Sequence, residues 1–189
     1  MVEHITKKLG SEKRKELFRE FEISLLLDSY DGIFSDFDPR PYSDRALSDD
    51  FLHESRKAAK DKPSGKIQLK LLIPANKRSL LHEKVIKKRL RDHFKKHHEL
   101  LEKEKKNIIR KGLGFTIAGV ILMLITSFVF FHREDKSPII RFLIVLFEPG
   151  SWFLFWEGLN QSVFESKRVN HNLKFYKKMS SSEIIFNAI

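Results

Sequence analysis

One stretch of the chain carries no charge for twenty consecutive positions. Residues 112–131 read GLGFTIAGVILMLITSFVFF. At about 1.5 Å per residue, a helix of this length covers about 30 Å, the thickness of the hydrocarbon core of a bilayer. A helix buried in a soluble core is the alternative, but the roughly 110 highly charged residues before it cannot enclose it. We therefore predict a transmembrane helix at residues 112–131.

A second apolar stretch follows after six polar residues. Residues 138–159 read PIIRFLIVLFEPGSWFLFWEGL, which is long enough to span. Arg141 and Glu157 lie near its ends, where their side chains can reach the headgroups, whereas Glu148 lies near its middle. A carboxyl there must be protonated, be paired, or face protein or water. Pro149 predicts a kink, and the alternative to a second span is a re-entrant segment broken at Pro149-Gly150.

Basic residues flank the two apolar stretches on their outer sides. The intervening loop, HREDKS, contains only Arg133 and Lys136. The positive-inside rule then places both termini in the cytoplasm, which requires two crossings. We predict a multi-pass protein of the cell membrane that contacts anionic lipids of the inner leaflet through Lys103, Lys106, Arg110, Lys111, Lys167 and Arg168.

We predict that residues 1–78 form a cytosolic module of helices, an acidic loop and one strand. Helices are expected at residues 12–28 and 49–61, separated by a loop rich in aspartate. Residues 66–74, KIQLKLLIP, alternate between apolar and polar side chains, as a half-buried strand does. A strand needs a backbone partner, which is either the candidate strand at residues 182–186 or the same strand of another copy.

The segment between this module and the first span has neither glycine nor proline. Residues 79–111 carry apolar side chains at helical spacing on an otherwise basic helix. We predict one helix running from about residue 79 to 131, and a cytosolic tail over residues 160–189. The predicted fold class is therefore mainly α: a two-helix transmembrane hairpin with a small cytosolic α+β module and a long amphipathic helix continuous with the first span.

No catalytic signature accompanies this architecture. The chain has no cysteine, which excludes disulfides, Cys-based zinc fingers and thiolate nucleophiles. Asp36 and Asp38 resemble a D-x-D metal motif, but no apolar strand precedes them and no partner ligands are evident. His93 and His97 have chelating spacing on the long helix without a third ligand. We predict no catalytic residue, no metal site and no cofactor.

Each apolar stretch carries one helix face that differs from the rest of its surface. Small residues on the first let another helix approach closely. Glu148 on the second lies on a face with a cation and large aromatic rings, which is interpreted either as a packing seam or, in an oligomer, as the lining of a pore or proton path. The predicted helix-packing face comprises Gly112, Thr116, Gly119 and Thr126, and the predicted intramembrane polar face comprises Arg141, Glu148, Trp152 and Trp156.

The order of elements resembles a known family. The run IFSDFDPRPYSDRALSDDF is followed by a basic strand, a long charged helix and two spans, the second rich in Trp and Glu. This arrangement is similar to an uncharacterised family of small prokaryotic membrane proteins with two closely spaced transmembrane helices. The similarity covers roughly residues 30–187, and its most specific element is Phe37-Asp38-Pro39-Arg40-Pro41. It implies the topology and no activity.

Three functions follow in order of preference. The first is a non-enzymatic integral membrane protein that self-associates and carries a cytosolic module for sensing or for binding a protein partner. The second is a homo-oligomeric channel or pore-forming effector gated by that module. The third is a membrane-tethered enzyme. Nucleic acid is a weaker prediction than lipid for the basic surface, because its lysines lack interleaved aromatic residues.

Overall fold

The computed structural model describes residues 22–60, 62, 67–132 and 137–189, and the chain is mainly helical, as predicted. The helices predicted at residues 49–61, 79–131 and 138–159 and the strands predicted at 66–74 and 182–186 are confirmed, with small shifts at their ends. In chain order the elements are β1 (Glu22–Leu26), α1 (Asp49–Lys60), β2 (Gln68–Ile73), α2 (Leu80–His132), α3 (Pro138–Leu159), a π-helical segment (Asn160–Glu165), α4 (Ser166–Ser180) and β3 (Glu183–Ala188).

The chain divides into two compact units. The first, called the sheet unit here, comprises residues 1–98 and 174–189. The second, called the hairpin unit, comprises residues 99–173. The sheet unit therefore draws on both ends of the chain, with the whole hairpin unit inserted between its second and third strands.

The three strands form one parallel sheet with β2 in the centre. Ile23 pairs with Leu69, and Leu69 pairs with Ile184 on its other side. Both connections contain helices, and such crossovers allow parallel pairing where a tight turn would not. The strand at residues 66–74 thus pairs with the C-terminal strand of the same chain, which was one of the two predicted alternatives.

One face of the sheet forms the core of this unit. Every second residue of the central strand points to it, and Leu69, Leu71 and Ile73 are fully buried. The helices contribute residues spaced three and four apart, which is the spacing of a single helix face. These helical core residues are Phe51, Ala59, Ile86, Leu90, Phe94, Phe175, Tyr176 and Met179.

The opposite face of the sheet carries polar contacts. Lys70 on the central strand donates to Glu22 on β1, with 2.5 Å between Nζ and Oε2. On the other side, the Gln68 amide donates to Glu183 of β3 at 3.2 Å. Polar and apolar residues alternate along β2 because successive side chains of a strand point to opposite faces, here the polar face and the core face of the sheet.

The predicted helix over residues 12–28 is wrong in its last part. Residues 22–26 form strand β1, while residues 12–21 lie outside the described residues. Leu25 and Leu26 fit a helical apolar face, but Ile23 and Leu25 also fit an alternating one. The partner strand β2 decides between them, because all five residues of β1 lie in parallel register with it and β1 gains its backbone hydrogen-bond partners there. The N-terminal module consequently contains two strands instead of the one predicted.

Helix α3 passes through Pro149 and Gly150 without interruption. The break that the re-entrant alternative requires at this point does not occur. Proline lacks an N–H, so it removes one hydrogen bond within the helix. Transmembrane helices tolerate proline when neighbouring groups satisfy the carbonyl that is left without a partner. Ser137 begins the helix by accepting a hydrogen bond from the Ile140 N–H at 3.4 Å, with Pro138 in the first turn.

The sheet core yields a stability prediction. We expect Leu71→Ala to lower the free energy of unfolding of the sheet unit by about 2–5 kcal/mol, because it leaves a cavity under the central strand. The matched control is Leu72→Ala, which removes the same atoms from the opposite face and is expected to cost less than half as much. Chemical unfolding of the detergent-solubilised full chain, followed by circular dichroism, measures both. Equal losses would contradict the assignment of the core face.

Candidate membrane-spanning hairpin

The two longest helical runs expose their apolar surface. Within the most apolar window of Leu80–His132, 11% of the residues are buried inside the protein, and in the corresponding window of Pro138–Ser180 only 6% are. Phe128, Phe142 and Phe153 are each more than 60% exposed. A core helix of a soluble protein would be mostly buried. Both helices are long and apolar enough to cross a membrane, and a hydrocarbon environment is the one in which such a surface is stable.

Glycines bring α2 and α3 into close contact. A Cβ built on Gly119 would lie 2.6 Å from the backbone nitrogen of Phe155, and one built on Gly112 would lie 2.7 Å from the carbonyl oxygen of Gly158. Gly158 is equally restricted, because a Cβ there would collide with the backbone of Thr116. The two backbones therefore approach where side chains are absent, which is the usual way for helices to pack in lipid.

Hydroxyl groups at this contact are bonded within their own helices. Thr116 donates to the carbonyl of Gly112 at 3.0 Å, and Thr126 donates to that of Leu122 at 2.8 Å. On α3 the fully buried Ser151 donates to the carbonyl of Glu148 at 2.7 Å. Each hydroxyl is thereby satisfied without a partner on the facing helix. Of the predicted packing face, Gly112, Thr116 and Gly119 lie against α3 or the π-helical segment. Thr126 is buried and borders a groove that Ser151 of α3 also lines.

The sequence analysis missed the matching residues of the second helix. Ser151 and Gly158 face α2 and are buried, and Ser162 of the π-helical segment lies against Gly112. Their seven-residue spacing places Ser151 and Gly158 on one helix face, so a small-residue pattern was present in the sequence. The large aromatic residues around them obscured it.

The predicted polar face of α3 lies beside the helix contact and is exposed. Arg141 and Glu148 are both exposed, and Trp152 and Trp156 are 49% and 60% exposed. No hydrogen bond or ion pair of the Glu148 carboxyl occurs among the residues that the structure describes. This carboxyl borders a groove of about 290 Å³, called the Glu148 groove here, which is lined by Met123, Thr126, Ser127, Phe130, Phe131, Ile144, Glu148, Ser151 and Trp152.

The predicted lipid-contact residues share one end of the hairpin unit. Helix α2 and the run from α3 to α4 are antiparallel there, because Lys105 donates to Asn170 at 2.7 Å and Gly112 lies against Ser162. Lys106 and Arg168 make ion pairs with glutamates on their own helices at 3.3 and 3.2 Å, which leaves both cations at the surface. All six predicted residues are exposed: Lys103, Lys106, Arg110, Lys111, Lys167 and Arg168.

The aspartates of the D-x-D motif have different roles in the sheet unit. Asp38 receives a bidentate interaction from Arg40, at 2.9 and 2.8 Å, and also accepts the backbone N–H of Ala46 at 2.7 Å. The Arg40 guanidinium, together with this N–H, holds the pKa of the Asp38 carboxyl well below its usual range. Asp36 is exposed. Asp38 therefore fixes the loop conformation, and the loop presents the Phe37 ring, which is 98% exposed.

His93 and His97 are half-buried and lie at the edge of the core of the sheet unit. Their ring centroids are 4.2 Å apart, and the His97 ring stacks on Tyr176 of α4 at 5.1 Å. Burial, reinforced by His97, Arg89 and Lys96, lowers the pKa of His93 to about 4. Burial also lowers the pKa of His97. Within the described ranges no cluster of three or more metal-binding side chains surrounds them, so they serve as packing residues.

Comparisons of the chain with protein-family models, with curated proteins and with solved structures found no match.

The glycine contact yields a prediction with a matched control. We expect Gly119→Ala to separate α2 from α3, because the new methyl group would meet the backbone of Phe155 and Ser151. The midpoint of thermal unfolding of the hairpin unit, measured in mild detergent, should fall by several degrees. Gly114→Ala, where nothing lies within 4 Å of the new methyl group, should leave it unchanged or raise it slightly. Identical effects of the two substitutions would contradict the close contact.

The half-buried His93 yields a pH prediction. In the folded chain the pKa of His93 is about 4, whereas in the unfolded chain it is about 6.5. The unfolded chain therefore binds more protons between these values, so the stability contributed by neutral His93 is present above pH 6.5 and is lost as the pH falls toward 4. His93→Phe should remove this part of the pH dependence, on the order of 1–2 kcal/mol after allowance for partial solvent screening.

Unfolding of the detergent-solubilised chain at pH 7 and at pH 4.5 measures this difference. The control is His53→Gln on the exposed surface of α1, which should retain the pH dependence of the parent chain. If His93→Phe and the parent lose the same stability on acidification, the burial of a neutral His93 is refuted.

Proposed function

We propose that this chain is a non-enzymatic integral membrane protein, anchored by α2 and α3, that holds the sheet unit in the cytoplasm and self-associates. The sheet unit is the part that binds or senses a soluble protein partner. The apolar surface of the two helices supports the membrane anchor, because few residues of their most apolar windows are buried by the described part of the chain.

The observation that carries the proposed topology is the pairing of β2 with β3. Gln68 pairs with Glu183, and the pairing continues to Ile73 and Ala188. Both apolar helices lie between these strands in the sequence. Two strands pair only if they are on the same side of a bilayer, so a chain that inserts must cross an even number of times between them. Two crossings agree with this condition, and a single crossing would separate β3 from its partner.

The basic residues support the orientation. Six exposed cations lie at one end of the hairpin unit, and this supports a contact with anionic headgroups of the inner leaflet at that end. The loop at the other end contributes few positive charges. This difference favours the cytoplasm for the end that leads into the sheet unit.

The loop around Phe37 supports the partner-binding role. An aromatic ring that is 98% exposed contributes nothing to the stability of its own unit. The Asp38 interactions with Arg40 and Ala46 fix the backbone beside it, so binding would cost little conformational entropy. Rigid exposed aromatic residues are typical anchors of protein interfaces.

The absence of native cysteine makes the topology directly measurable. Single cysteines introduced as Asp50→Cys on α1, His132→Cys at the end of α2 and His171→Cys on α4 occupy exposed positions. With a membrane-impermeant maleimide, right-side-out vesicles should label only the cysteine at position 132. Inverted vesicles should label only those at positions 50 and 171.

Two controls accompany this experiment. The parent chain should not be labelled, and each variant should be labelled fully after detergent solubilisation. Release of the chain by alkaline carbonate would refute the membrane anchor. Labelling of positions 50 and 171 from opposite sides would refute the hairpin.

A further inference from the structure

One exposed surface of the sheet unit is strongly acidic. Residues 28–54, called the acidic segment here, contain eight carboxylates and two arginines. Both arginines make ion pairs with aspartates of the segment itself, at 2.8 and 2.7 Å. The segment therefore keeps an excess of negative charge, and the exposed Asp36 and Asp44 lie on either side of the exposed Phe37 in the sequence.

A second exposed surface of the same unit is basic. It comprises Leu81, Lys84, Lys88 and Arg91 of α2, called the basic stripe here, which lie within about 80° of one another around the helix. All four are exposed, and Leu81 is 80% exposed. None of the three cations makes an ion pair with a described residue. Lys84 and Lys88 are one turn apart and repel each other, so the stripe favours an anionic partner.

The basic stripe faces away from the acidic segment of its own copy. Arg89 donates to the Arg45 carbonyl at 3.0 Å, and the His82 ring lies 5.4 Å from that of Tyr42. These contacts mark the side of α2 on which the acidic segment packs. At about 100° per residue, the three cations of the stripe lie about 100–160° around the helix from Arg89. One copy therefore cannot bring its own two surfaces together.

The stripe fits an acidic protein surface better than a lipid or nucleic acid. Arg91 precedes the apolar stretch of the same helix, which begins at Gly112, by about 30 Å of helix length. Attraction to charged headgroups falls off within a Debye length, about 8 Å at physiological ionic strength. The exposed Leu81 favours a partner that offers an apolar group together with its negative charges, and a phosphate backbone offers none.

We propose that the basic stripe of one copy binds the acidic segment of a second copy, with the Phe37 ring of the second copy against Leu81 of the first. This inference rests on the proposed function, because it names the sheet unit of another copy as the partner of Phe37. The two surfaces are complementary in charge, and each carries an exposed apolar side chain among its charges.

The membrane anchor makes such a contact effective. Exposed ion pairs are individually weak, but copies anchored in one membrane hold their sheet units in the same aqueous layer at high local concentration. The two surfaces lie on different sides of the unit, so one copy binds one neighbour through each of them. The contact is therefore heterologous and repeats from copy to copy.

A photo-crosslinking amino acid at position 37 tests the contact. Benzoylphenylalanine in place of Phe37 keeps an aromatic ring at this position, and a differently tagged chain without the probe is expressed beside it. Irradiation of the membranes should join the two chains. Mass spectrometry of the digested adduct should locate the new bond within residues 80–91 of the chain without the probe.

Reciprocal charge reversal tests the complementarity. Lys84→Glu with Lys88→Glu in the chain without the probe should reduce the adduct at least about tenfold, because attraction becomes repulsion. Adding Asp36→Lys with Asp44→Lys to the probe chain should then restore it. A variant that merely misfolds would not be rescued by changes in another chain. Failure of this rescue would overturn the pairing of the two surfaces.

A matched control reverses charge elsewhere on the sheet unit. Lys57→Glu with Lys60→Glu changes two exposed lysines of α1 in the chain without the probe and should leave the adduct unchanged. An equal loss in this control would overturn the assignment to the basic stripe.

The outcomes separate this inference from the proposed function. A chain that resists alkaline carbonate but gives no adduct between its copies would overturn the contact and leave the anchor intact. A probe that instead joins a different protein or a nucleic acid would overturn the second copy as the partner. Extraction of the parent chain by carbonate would refute the anchor, whatever adduct is found.

Discussion

The parallel pairing of β2 with β3 is the constraint on which the rest of the structure depends. The two strands are 115 positions apart at their first paired residues, Gln68 and Glu183, and α2, α3 and α4 all lie between them. The chain must therefore reverse its direction before β3 can reach the sheet. Helices α2 and α3 run antiparallel and are held together by the glycine contact, so the chain that leaves β2 through α2 returns through α3 and α4 before it forms β3.

Small residues allow the two helices of the hairpin unit to pack against each other. Lipid tails are as apolar as leucine, so burial of apolar surface gives two helices little reason to associate in a bilayer. Close backbone approach at Gly112, Gly119 and Gly158 supplies dispersion contacts that bulky residues would prevent. The bulky residues are instead on the outer surface, where they face the surroundings. Small residues therefore lie on the side of each helix that contacts the other helix, and bulky residues lie on the remaining sides.

Charge and polarity in this protein divide by unit. In the sheet unit, the buried Glu83 carboxylate is bonded to Arg78 at 2.8 Å and to Tyr30 at 3.2 Å. The buried Ser55 Oγ and His93 Nε2 have no hydrogen-bond partner among the described residues. In the hairpin unit, the hydroxyl groups of Thr116, Thr126 and Ser151 bond to carbonyls of their own helices. No hydrogen bond or ion pair of the Glu148 carboxyl occurs among the described residues.

The sequence by itself determined the features that depend on local composition. Apolar length identifies the helices at residues 112–131 and 138–159, and alternation identifies the strand at 66–74, because each pattern lies within a short stretch of the sequence. Only the tertiary structure decided whether residues 22–26 form a helix or a strand, because their sequence pattern fits both. A strand exists there because β2 supplies its hydrogen-bond partners. The facing residues Ser151 and Gly158 were likewise decided by the approach of another helix, which no local pattern contains.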